Sequence, residues 1–163
     1  MAKVQKIVPN LWFDTESEEA ANFYTSIFNN SRIVRKMHYL EAGPRPAGMV
    51  LLVTFELEGQ QFTALNGGPE FKFNEAVSLL VNCEDQAEVD RLWAKLSEGG
   101  EEGPCGWLKD KFGLSWQITP KVLDDMLADE DPAKANSVMK RMLRMSKIDI
   151  KELEKAYAEP QPV

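Results

Sequence analysis

The chain contains a single histidine, His38, and two cysteines, Cys83 and Cys105, among 163 residues. That scarcity restricts metal and redox chemistry from the outset. The cysteines stand far apart with no CxxC spacing, so they read as reduced, buried thiols rather than as ligands or a disulfide. Positive charge is also in short supply, with 19 Lys and Arg against 26 Asp and Glu and a formal charge of −7. No Lys/Arg cluster interrupts this acidic field, which repels phosphate backbones and anionic bilayers, so neither nucleic acid nor a membrane is an expected partner. Long apolar runs are missing too. The longest, Met49 to Val53, is far too short to cross a bilayer, and the opening residues Met1 to Lys6 lack an apolar signal core, so a cytoplasmic protein is expected. Finally, no GxGxxG, GxxxxGK[ST], GxSxG or HExxH occurs, which leaves nucleotide phosphate binding, serine hydrolysis and zinc proteolysis without a motif.

What the chain does contain is ordered punctuation. A composition of 44% apolar and 9% aromatic residues supports one self-sufficient core. An apolar stretch from Val4 to Phe13, interrupted by Pro9, has strand character. A helix follows, with Thr15 or Ser17 as its cap, Glu18 and Glu19 at its positive end, and Ala20, Phe23, Tyr24, Ile27 and Phe28 on one face. After Asn29-Asn30-Ser31, strands are predicted at about Arg32–Leu40, Met49–Glu58 and Gln61–Asn66. The Gly67-Gly68-Pro69 break and a loop carrying Phe71 and Phe73 then lead to a restart. A strand at about Ala76–Cys83 precedes a helix in which Asp85 is the N-cap, Glu88 completes a capping box, and Val89, Leu92, Trp93 and Leu96 form the apolar stripe up to Gly99-Gly100. Strands around Glu101–Pro104, Trp107–Lys109 and Leu114–Thr119 close a second βαβββ unit. The element order therefore repeats after about 70 residues. The fold class is α+β: paired βαβββ modules over about 4–68 and 74–120, with 121–163 a helical extension of the same domain and a frayed Pro160-Gln161-Pro162 end. Met126, Leu127, Met139, Met142, Leu143 and Met145 in that extension exceed what the two modules need, which predicts a homodimer.

The most distinctive stretch is Cys105 to Pro120, two strands joined by a tight turn. Leu114, Trp116 and Ile118 alternate with Ser115, Gln117 and Thr119, so the three polar side chains share one face. Ser115 and Gln117, with Ser78 on a neighbouring strand, are candidates for the few polar groups that orient a small ligand. Asn66 is a fourth, and Trp12, Phe71, Phe73, Trp107, Phe112 and Trp116 are candidate apolar walls. Core packing is the competing reading for each aromatic taken singly. The acidic pairs Glu18-Glu19, Glu101-Glu102 and Asp124-Asp125 read as solvated caps or faces rather than catalytic dyads.

Five phrases carry a resemblance: Ile7 to Phe13, Glu19 to Tyr24, Ala64 to Pro69, Cys105 to Pro120 and Met142 to Leu153. Together they resemble the vicinal oxygen chelate superfamily, and more closely its PhnB-like branch, labelled 3-demethylubiquinone-9 3-methyltransferase. The resemblance implies two modules curled around a cleft, usually in a homodimer, and no assigned reaction. It also implies inward-facing metal positions on the first and last strand of each module, which map here to Pro9, Ala64, Ala76 and Gln117. Only Gln117 has a donor atom, against the three or more protein ligands of a catalytic divalent site, so neither metal nor other cofactor is expected. His38, between Met37 and Tyr39, reads as an ordinary strand residue. The label's methyl transfer has no support in the residues, because a nucleoside methyl donor calls for a glycine-rich turn in a doubly wound sheet. The expected function is metal-independent binding of a small molecule within a cleft lined by Trp12, Asn66, Ser78, Trp107, Phe112, Ser115 and Gln117. The alternative is a lyase, isomerase or dioxygenase using a metal site of unusual make-up, with His38, Glu56 or Glu75 as ligands.

Overall fold

The computed structural model describes residues 4–161. It divides into two compact units, Met1–Lys72 and Phe73–Val163. The first is built from β1 (Asn10–Phe13), α1 (Ser17–Ile27), β2 (Arg32–His38), β3 (Val50–Leu57) and β4 (Gln60–Asn66). The second contains β5 (Ser78–Cys83), α2 (Gln86–Ser97), β6 (Glu101–Glu102), β7 (Trp107–Lys109) and β8 (Ser115–Pro120), followed by α3 (Lys121–Leu127), α4 (Pro132–Met142) and α5 (Ile150–Ala158). The sheets have the same permuted order, β1-β4-β3-β2 and β5-β8-β7-β6. In both, the first and last strands run parallel and the other pairs antiparallel. The α+β class and the tandem βαβββ order expected from the sequence are both present.

Alternation along each strand decides which side chains meet the helix. In the first unit Leu11, Phe13, Val53, Phe55, Leu57, Phe62 and Ala64 are buried, together with Ala20, Ala21, Tyr24 and Ile27 of α1. Tyr24, Phe55 and Phe62 form a run of stacked rings with centroids 6.2 and 5.6 Å apart. The β1 strand is shorter than the apolar stretch that predicts it. It begins only after Pro9, whose carbonyl accepts from the Thr63 N–H at 3.0 Å but which has no N–H of its own to offer a ladder. The start of α1 also differs from expectation. Neither Thr15 nor Ser17 caps it. The Ser17 N–H instead donates to Asn66 Oδ1 at 2.9 Å, so an amide from the end of β4 fills the capping role across 49 residues of chain. At α2 the expected cap is present, with the Glu88 N–H donating to Asp85 Oδ1 at 2.8 Å. Glu88 reaches back one residue further than a regular capping box, accepting from the Glu84 N–H at 2.7 Å.

The C-terminal helices have a core of their own. Leu123, Met126, Val138, Met145, Ile148 and Leu153 bury against one another, with Val122, Leu127, Met142 and Tyr157 packed around them. Most of the apolar surplus that predicts a homodimer is absorbed here, leaving Met139 and Leu143 exposed. The segment between α4 and α5 is sewn to the second module. The Cys105 and Gly106 N–H groups donate to the carbonyls of Met145 and Ser146, each at 2.8 Å. Gln86 clips the same segment, donating to the Ile148 carbonyl at 3.0 Å and accepting from the Ile150 N–H at 2.8 Å. Gly106 lies at φ 82°, and a side chain there would meet the Ile118 carbonyl at 2.8 Å and Ile148 Cγ1 at 3.1 Å, so the seam requires glycine. The expected fraying of the C-terminal end does not extend to Gln161, whose N–H donates to Ser137 Oγ at 2.8 Å; Pro162 lies outside the described residues.

Candidate ligand face

The candidate residues separate by unit and by sheet face. Trp12 and Asn66 belong to the first unit; Ser78, Trp107, Phe112, Ser115 and Gln117 belong to the second. Asn66 lies on the helix side of its sheet and is 2% exposed. Besides accepting from Ser17, its side chain donates to the Val50 carbonyl at 3.0 Å, while its own carbonyl accepts from the Tyr39 hydroxyl at 2.7 Å. These bonds commit Asn66 to holding α1, β3 and the β2–β3 connection together. Trp12 lies on the opposite face. Its indole N–H donates to the Gly68 carbonyl at 2.9 Å, and Phe71 meets the ring edge-on with centroids 4.9 Å apart. A Cβ on Gly67 would lie 2.4 Å from that ring, so the glycine allows the chain to pass directly over the tryptophan.

In the second unit, register assembles a single row. Ser78 pairs with Ser115, Leu80 with Gln117 and Asn82 with Thr119, while Trp107 pairs with Gln117 and Lys109 with Ser115. All of these lie on the face away from α2, because Leu108, Trp116 and Ile118 occupy the other. Gln117 Nε2 donates to Ser78 Oγ at 2.9 Å. The hydroxyls of Ser115 and Thr119 are buried without a protein hydrogen-bond partner, and Ser115 is fully buried. A cavity of about 390 Å³ opens beside this row, with Trp107, Lys109 and Ser115 in its wall. Phe112 sits apart, in the β7–β8 turn, with the Lys111 ammonium 5.3 Å from its ring centroid.

Sequence reasoning overlooked the residue that shapes this turn. Asp110 is 2% exposed and accepts from the N–H groups of Phe112 and Leu114 at 2.9 and 3.1 Å and from the Trp116 indole at 2.9 Å. The Asp-x-x-Gly spelling of a side-chain-stabilised turn was the available signal. Cys83 is a free buried thiol whose pKa is pushed up to about 12 by burial and by Glu88, leaving it unreactive; Cys105 is free and half-buried.

Strand register also corrects the metal positions inferred from the resemblance. Ala64 pairs with Val53 beneath α1, and Ala76 precedes β5 in a turn. A one-residue offset moves a strand position to the opposite face. The outward positions are instead Asn10 and Trp12 on β1, Thr63 and Leu65 on β4, Ser78 and Leu80 on β5, and Ser115 and Gln117 on β8. Their donors are neutral amides and hydroxyls, a poor set for a divalent transition metal. Glu56 and Glu75 are engaged by Arg32 and Lys109, and the exposed His38 ends β2. Among the described residues, no three His, Cys, Asp or Glu side chains are grouped to hold a metal ion. The metal centre of the resembled superfamily does not fit this donor set.

Two βαβββ sheets of one permuted strand order, one of them bordered by a ligand-scale cavity, are the tandem α+β architecture the sequence predicts. The family described as 3-demethylubiquinone-9 3-methyltransferase matches residues 5–119, and the chain belongs to it. Among solved structures, a PhnB protein from Bacillus cereus carrying that same description is 41% identical, with 71% of this chain covering 99% of that one at a TM-score of 0.64. Protein PA1353 from Pseudomonas aeruginosa, 21% identical, shares the fold, with 72% of this chain covering 98% of that one at a TM-score of 0.60. No curated protein matches the chain significantly. The family match ends before α3, so the C-terminal helices lie beyond it. No helix among the described residues is long and apolar enough to cross a membrane.

Proposed function

We propose that this chain binds a small molecule on the face of its second module that carries Ser78, Trp107, Ser115 and Gln117. The observation that carries the reading is the buried, unpartnered Ser115 hydroxyl at the wall of a cavity of about 390 Å³. An unsatisfied buried hydroxyl is costly in a folded protein, and a ligand's polar group relieves that cost. Trp107 supplies an aromatic surface, and the Ser78–Gln117 pair supplies further donor and acceptor capacity. Phe112 serves as an apolar margin in this reading; Trp12 and Asn66 belong to the first unit, where Asn66 fixes the start of α1.

The family's name describes a methyl transfer, but this chain's sheets have one parallel pair each rather than the doubly wound arrangement that holds nucleoside cofactors. A metal-dependent lyase, isomerase or dioxygenase is disfavoured by the neutral donor set. The protein works as a cytoplasmic homodimer, a reading supported by its two free cysteines and by the exposed Met139 and Leu143 on the C-terminal helices. Light scattering at micromolar concentration returns twice the chain mass if this is right, and the single-chain mass if it is wrong.

The binding reading is tested by a fragment screen read by NMR on 15N-labelled protein. Hits cluster their shifts on Ser78, Trp107, Ser115 and Gln117. Gln117→Ala weakens them by about 1–3 kcal/mol, the cost of leaving a polar partner unpaired. Unchanged affinity across all hits assigns Gln117 to structure instead. Chelation with EDTA leaves the melting temperature unchanged, since a metal held only by the folded state would raise it.

A further inference from the structure

We propose that the cavity beside Ser115 is built for a monocationic ligand, an amine carried on an aromatic or aliphatic body. This rests on the binding face described above and names the chemistry it selects. Four charged side chains border the cavity, with Ser115 in its wall. Glu101 lies opposite Lys109 across the β6–β7 pair, and Lys109 lies opposite Ser115 across β7–β8, so all three project from one face. Glu75 reaches Lys109 as an ion pair from the loop before β5. Glu102, although it also borders the cavity, turns to the other face and accepts from the Trp93 indole N–H at 2.9 Å. On the ligand side there are thus two carboxylates and one ammonium, and that ammonium is already neutralised by Glu75.

The remaining charge is negative, and it sits near an aromatic wall. Trp107 occupies the position next but one to Lys109, on the same face of the same strand. An indole attracts a cation to its ring face, and the attraction strengthens where water is excluded. The Ser115 hydroxyl, fully buried and unpartnered, offers lone pairs to an ammonium N–H. Carboxylate, aromatic face and hydroxyl acceptor together recognise a protonated amine. An anion entering the same space would face Glu101 with its only counter-charge already engaged. A neutral isostere would use the aromatic wall and the hydroxyl but gain nothing from the carboxylate.

Three probes of similar shape separate these cases: phenethylamine, 2-phenylethanol and 3-phenylpropionate, titrated at pH 7 into the full chain. The readout is the Trp107 indole N–H signal, assigned by its loss in Trp107→Phe. Phenethylamine is expected to shift that signal and to bind at least about tenfold more tightly than the alcohol, with no binding of the carboxylate. Glu101→Gln, a surface change, should erase the preference for the amine while leaving the alcohol's affinity as it was. Equal affinity for amine and alcohol, or preference for phenylpropionate, overturns the cationic selection and leaves the binding face standing. If none of the three moves Trp107 or Ser115, the cationic proposal fails together with the binding face beneath it.

Discussion

The two modules share one strand permutation but treat the polar groups on the outer faces of their sheets differently. In the first, those groups pair with one another. Thr63 donates to Asn10 at 2.7 Å, Arg32 binds Glu56, and the Gln5 side chain bonds the Gln61 backbone in both directions. In the second, Ser78 and Gln117 pair, but the hydroxyls of Ser115 and Thr119 are left buried without protein partners. Among the described residues of the first unit, the one buried hydroxyl without a partner, Ser17, belongs to helix α1 rather than to the sheet. Identical topology therefore yields one face that is chemically closed and one with hydrogen-bonding capacity to spare. Unspent hydrogen-bonding capacity separates the modules where topology does not.

The sharpest way to break the second face is at its turn. Asp110→Ala strips acceptors from two backbone N–H groups and the buried Trp116 indole, and should destabilise the second unit by about 3–4 kcal/mol in urea unfolding. The corresponding test in the first unit is Asn66→Ala, which removes the acceptor at the α1 start. It should cost about 2 kcal/mol while leaving phenethylamine affinity unchanged, which sets structural polarity in one module against binding polarity in the other. Ser115→Ala has the opposite sign on stability. Deleting an unsatisfied buried hydroxyl should raise the unfolding free energy by about 1 kcal/mol and weaken amine binding.

Acid supplies the mildest contrast. Glu75, Asp90 and Asp129, all in the second unit, have pKa values lowered chiefly by hydrogen bonds from Lys109, Lys147 and Tyr157 respectively. A depressed folded-state pKa gives stability that is present above the ordinary carboxylate range and lost as pH falls through the folded value. The second unit should therefore weaken first on acidification below about pH 4, followed by the backbone amide signals of each unit. Glu75 and Asp90 are exposed and Asp129 is half-buried, so added salt should blunt the effect.

Much of the fold is legible because strand alternation and helix periodicity report burial directly. Val89, Leu92, Trp93 and Leu96 mark the buried stripe of α2 without any tertiary knowledge. The row of Ser115, Gln117 and Thr119 is visible for the same reason. Elsewhere the decisive partner is remote in sequence. Nothing near Ser17 announces that Asn66 holds its N–H, so a buried tie reads as a candidate ligand group. Ala64 is misassigned because its face depends on pairing with Val53, and an error of one residue reverses it. Glu101 reads as a solvated charge because its importance arises only when β6 places it opposite Lys109.

The clip formed by Gln86 on Ile148 and Ile150 also bears on the order in which the chain acquires structure. Its two bonds span 62 and 64 residues, and the β5–β8 pairing likewise waits for residues far downstream. During synthesis the whole of the first βαβββ unit has emerged before any of these partners exists. Vectorial folding then gives the N-terminal unit a head start, while β5 and α2 wait with an open edge until residues 115–120 and 145–150 arrive. The closing of that long loop is the late event of the nascent chain, and the interval before it is when the half-made second sheet is most exposed to pairing with the wrong strand.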